Sequence, residues 1–222
     1  MEASRTGAAN PRATAFVGGH LGEWQVVSQR TLQGPPIASF PRVAVLSDDR
    51  AEPPADGSWL LRGVATNDRY ATGAEKAELI KRQARIGRPE ATSAALILLR
   101  KNADWWALAQ DERRAILEEQ SHHIAIGMRH LPAIARRLLH CRDLGTDEPF
   151  DFLGFLDYGP PTPRPLTTCL GNSVQRGSGP LWTARSTFGW SKRTIKCGST
   201  RSLRCEPAPV GRRFAAALYT PS

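Results

Sequence analysis

Short β-leaning runs, separated by clusters of Gly and Pro, limit this chain more than anything else in it. AFVGG, WQVVSQ, RVAVLS and SWLLRGVATN come first, broken by QGPPIASFP and EPPADG; TSAALILLRK and FDFLGFLDYG follow later. Runs of this length and punctuation read as strands rather than as helices. Between the fourth and fifth, AEKAELIKRQARIG has the spacing of an amphipathic helix of about three turns, stopped by Gly87 and Pro89. DWWALAQDERRAILEEQSHHIAIGMRH reads as one or two helices, and LPAIARRLLHCRDLG continues the helical pattern beyond Pro132, which starts a new helix or kinks the old one. Strands alternating with helices in this order predict an α+β domain whose antiparallel sheet carries helices on one face.

The charge is unevenly spread. Of the net +9, none belongs to residues 1–157, where 20 basic residues meet 20 acidic ones; from Tyr158 onward ten Lys and Arg face a single acid, Glu206. A nucleic-acid or membrane-surface binder is therefore argued only by the tail, which has no heptads, no amphipathic helix and no binding module. Neither partner is expected. The first dozen residues lack both periodicity and an apolar signal core, no run of eighteen apolar residues occurs, and the expectation is a cytoplasmic protein with a disordered leader over 1–13. Cys141, Cys169, Cys197 and Cys205 show neither metal-site spacing nor a disulfide framework.

Four of the five histidines fall between His122 and His140. Neutral imidazole offers a lone pair near pH 7, so such a group raises the question of a metal. His122 and His123 are adjacent and point about 100° apart on a helix, so they cannot share one ion as an i, i+4 pair does. His130 and His140 have no carboxylate at ligand spacing. Two readings remain. One is a single axial ligand in an apolar slot built by Ile124, Ile126, Met128, Leu131 and Ile134, with Arg136 or Arg137 facing an anion on the open side. The other is a packed helix with ordinary histidines.

WLLRGVATNDRY over 59–70, GRPEATSAALILLRKNADWW over 87–106, DERRAILEEQSHHIAIGMRHLPAIARRLLHCRD over 111–143 and EPFDFLGFLDY over 148–158 together resemble the chlorite dismutase family of haem enzymes, in its short, dimeric branch. The resemblance spans residues 14–158. It implies a ferredoxin-like α+β fold, a haem b cofactor, a homodimer, and decomposition of chlorite to chloride and O2. In the family an arginine follows the iron-ligating histidine by thirteen positions, which carries over to His123 as the metal ligand and Arg136 as the catalytic group on the opposite face. Lys101, just before Trp105 and Trp106, matches the family's lysine beneath the haem, although LILLRKN lacks that motif's Pro and Ser. Trp105, Ile124 and Met128 are expected to form walls of the haem slot.

After Tyr158 the family's helix, its glutamate behind the ligating histidine and its last strand are not recognisable. Codons compatible with residues 165–179 and 182–190, taken in a shifted frame, can spell FDDLLGKLRATGEW and DREVDIRL, which resemble the missing pieces. The expectation is a frame change between about Gly159 and Pro165, a basic tail over 159–222, and a sheet without its C-terminal strand. Resequencing that DNA tests the idea; an uninterrupted frame encoding the tail as written removes it. Rival readings are a peroxide-using or coproheme-decarboxylating relative, although the decarboxylases lack the equivalent of Arg136, and an inactive remnant.

Overall fold

The computed structural model describes residues 10–47, 52, 58–66, 69–145, 147–159 and the backbone of 182–192. Eight strands, β1 Ala13–Gly19, β2 Trp24–Gln33, β3 Arg42–Leu46, β4 Trp59–Ala65, β5 Ser93–Lys101, β6 Ile134–His140, β7 Phe152–Tyr158 and β8 Trp182–Lys192, close into a barrel in the order β1-β3-β2-β8-β5-β7-β6-β4. All pairings are antiparallel.

Side-chain alternation decides what each face of the sheet does. Phe16, Leu61, Leu96, Leu98, Leu139, Leu153 and Phe155 turn inward and form the barrel core. Their neighbours in sequence, Leu99, Leu138 and Phe152, turn outward and pack under the helices with Trp105, Trp106 and Ile116. Burying a side chain such as Leu98 completely contributes roughly 2 kcal/mol, so the inward face supplies most of the cohesion.

Helix α1, Gly73–Arg82, begins in a capping box: Thr72 Oγ1 accepts from Glu75 N–H at 3.3 Å, while Glu75 Oε2 accepts from Thr72 N–H at 2.6 Å. It buries Leu79 and ends before Gly87, because Gln83 turns extended and its Nε2 donates to Arg136 O at 2.8 Å. The long helical stretch that follows β5 is divided into α2 Ala103–Ala107, α3 Gln110–Arg114, a π-helical turn Ala115–Gln120 and α4 His123–Arg129. Asn102 Oδ1 caps α2 by accepting from Trp105 N–H at 3.1 Å.

Two expectations are corrected. Residues 134–140 form a strand, not a helix: they pair along their whole length with β7, from Ile134 opposite Tyr158 to His140 opposite Phe152. That partner overrides the helical look of IARRLLH, since strand formation depends on neighbours more than on intrinsic preference. The place expected to lack a C-terminal strand is filled by β8, which pairs with β2 on one side and β5 on the other. Backbone pairing can close a sheet with many sequences, and Thr, Phe and Trp of WTARSTFGW suit it. Of the leader expected over 1–13, residues 1–9 lie outside the described residues, whereas residues 10–13 are described and Ala13 opens β1; residues 160–181 and the tail beyond 192 also lie outside them.

Candidate functional site

The strand assignment of 134–140 determines the site. On a strand, Arg136 and Arg137 face opposite ways. Arg137 Nη1 donates to Thr14 Oγ1, a buried inward residue of β1, at 3.1 Å. Arg136 goes outward and lays its guanidinium against Gly127 of α4, where an added Cβ would lie 3.1 Å from Arg136 Cζ. Only glycine leaves that room. Gly127 lies four residues after His123, hence on the same side of α4.

Lys101 closes β5 on the same outward face. It is buried, and its Nζ stands 3.8 Å above the Trp105 ring. Burial pulls its pKa down to about 7, against the opposing pull of Asp151. His123 is half-buried, and its pKa is held down to about 4, first by desolvation and then by the positive charges of Arg136 and Lys101. The ring is therefore neutral near pH 7, with a lone pair to offer. Ile124 is buried and Met128 half-buried on the same helix. Trp105 is 1% exposed, and its Nε1–H has no hydrogen-bond partner among the described residues. A cleft of about 440 Å³ beside α1, lined by Arg12, Lys76, Arg85, Arg136 and Arg137 together with apolar residues of α1, brings further positive charge up to Arg136.

The other histidines of the segment stand apart. His122 is exposed, and His130 is half-buried at the end of α4. His140 is buried on β6 with its ring 4.5 Å from Phe152 and 6.2 Å from Tyr70, and desolvation lowers its pKa to about 4. Among the described residues no group of three or more His, Cys, Asp or Glu could hold a metal ion, and no helix is long and apolar enough to cross a membrane.

A dimeric chlorite dismutase from Nitrobacter winogradskyi is similar to this chain at 40% sequence identity and a TM-score of 0.71, over 81% of this chain and 99% of that one. The chain belongs to the chlorite dismutase family. A variant of the chlorite dismutase from Candidatus Nitrospira defluvii matches at 22% identity and a TM-score of 0.48, over 61% of this chain and 55% of that one. No family model and no curated protein matches the chain. Coverage of 81% exceeds the share that residues 14–158 make up, in keeping with β8 standing in the sheet.

For this member of the chlorite dismutase family, three features of the site went unread in the sequence. Gly127 had its signal in the i, i+4 spacing from His123, but its use depends on Arg136 lying on a facing strand. Tyr70 went unread beside the expected Trp105; their rings are 6.1 Å apart and meet from segments 35 positions distant in sequence. Glu118 takes its place only because the helix breaks after it.

Proposed function

We propose that this chain binds haem b and decomposes chlorite to chloride and O2. The observation that carries this reading is the convergence of a neutral His123, a buried Lys101 and the guanidinium of Arg136 on the space between the β5-β7-β6 face and helices α2–α4. Two positive groups beside apolar walls, together with an indole N–H that has no hydrogen-bond partner among the described residues, are costly to assemble and suit a flat apolar ligand that carries carboxylates. The donor set therefore fits haem. His123 would ligate the iron, Ile124 and Met128 would pack against the porphyrin, and Lys101 with Trp105 Nε1–H would meet its acidic groups.

Bound haem would supply a redox-active iron with an open coordination position. The chain's own part is electrostatic. Arg136 binds the chlorite anion by charge-assisted hydrogen bonds, orients it and retains its fragments until both oxygens leave as O2; ClO2⁻ going to Cl⁻ and O2 needs no added proton or electron. Gly127 lets the guanidinium sit close to α4, and the basic cleft raises the local concentration of anions. The likeness to a dimeric chlorite dismutase supports a homodimer.

The test is O2 release on an oxygen electrode after chlorite is added to the haem-loaded chain. Arg136→Ala is expected to keep its haem and lose at least about tenfold in rate, as loss of a charged group acting on the reacting anion does. A variant as fast as the parent overturns the role of Arg136; no O2 from the parent overturns the reading.

A further inference from the structure

His123 follows an unusual break. The π-helical turn Ala115–Gln120 ends at Ser121, whose Oγ donates to Leu117 O at 2.7 Å, and His122 then adopts a left-handed conformation with φ of 53° that few residues other than glycine take. The chain restarts as α4, and His122 offers no side-chain cap to the exposed N–H groups of the first turn. Glu118 does so instead. Its Oε2 accepts from Ile124 N–H at 2.7 Å and Ala125 N–H at 3.2 Å, while its carbonyl accepts from His122 N–H at 2.8 Å. One residue thus grips the backbone immediately before and immediately after His123.

We propose that Glu118 is the positioning residue for His123: by clamping residues 122, 124 and 125 it sets the direction in which the imidazole leaves α4 toward Arg136 and Lys101. The effect is geometric, because the groups whose charges act on the imidazole are Arg136 and Lys101, not Glu118. Orientation enforced through the backbone is a means that the described residues offer. In its consequence for the cofactor this inference rests on the haem reading above; in its geometry it does not.

Two measurements on the full chain keep those apart. In the haem-free protein the His123 ring-proton resonances are followed by NMR at one alkaline pH, with His123→Gln identifying them. Glu118→Ala should move these resonances toward those of an exposed imidazole as the clamp on residues 122, 124 and 125 is lost, while Glu118→Gln, whose side-chain oxygen accepts the same two N–H groups, keeps them in place. In the haem titration Glu118→Ala should weaken binding about fivefold to tenfold, and Glu118→Gln about twofold or less. Unmoved His123 ring resonances in Glu118→Ala overturn the proposal. If Glu118→Ala does not fold, the Gln variant decides alone, because displaced His123 resonances there contradict a role based on hydrogen bonding. A parent that takes up no haem overturns the functional reading and leaves the NMR result to judge Glu118.

Discussion

Inside the barrel and outside it, the same strands are used in opposite ways. The inward residues of β5, Leu96 and Leu98, are fully buried among Phe16, Leu139, Leu153 and Phe155. The outward residues of the same strand lead from Leu99 to Lys101, and across the sheet β6 presents Arg136 toward a helix that carries His123. The inward face spends its area on cohesion; the outward face keeps ionisable groups in a place where burial opposes their charge. A protein selected for stability alone would fill that layer with leucine, so the contrast identifies where the function lies.

The largest effect belongs inside. Leu98→Ala should cost about 2–5 kcal/mol in urea unfolding, by lost burial and a residual cavity, whereas the His123 ring should keep its low titration in the folded fraction. A shift of both together would show that the two faces are not independent.

Next comes Lys101. Its folded pKa near 7 lies below the unfolded value of 10.5. Between those two values the unfolded chain binds more protons, so the stability of the haem-free protein should rise with pH across this window, and the full penalty should be present below pH 7. Lys101→Met removes the penalty. It should be more stable than the parent at pH 6, by about 1 kcal/mol or more, and the difference should shrink toward pH 10. Parallel unfolding profiles for the two proteins would place Lys101 in contact with water.

The smallest effect on folding, and a specific one on chemistry, is expected of Gly127→Ala. The new Cβ falls within the guanidinium of Arg136, so the side chain must move away from α4. Chlorite turnover should drop about tenfold, with the haem spectrum and the melting temperature little changed, because helix propensity favours alanine over glycine. Equal turnover would mean that Arg136 acts from another position.

The sequence made most of this sheet visible, and the reasons for its two lapses are physical. AFVGG, RVAVLS, TSAALILLRK and FDFLGFLDYG declare themselves by composition and turns. IARRLLH has the spacing of a helix, and only β7 beside it makes it a strand. β8 owes its place to β2 and β5, both far away in sequence. For the site, adjacency alone showed that His122 and His123 cannot share an ion, and resemblance pointed to His123 with Arg136. That Arg136 and Arg137 face opposite ways follows from strand alternation, and the parts played by Gly127 and Glu118 follow only from how α4 is turned. The proposed frame change begins at the edge of residues 160–181, outside those described.

The most direct measurement of the central claim is a haem titration followed at the Soret band for the parent, His123→Ala and Arg136→Ala. The account predicts one haem per chain in the parent, no specific band for His123→Ala and a retained band for Arg136→Ala. A His123→Ala protein that binds haem with the parent's affinity and spectrum would contradict it.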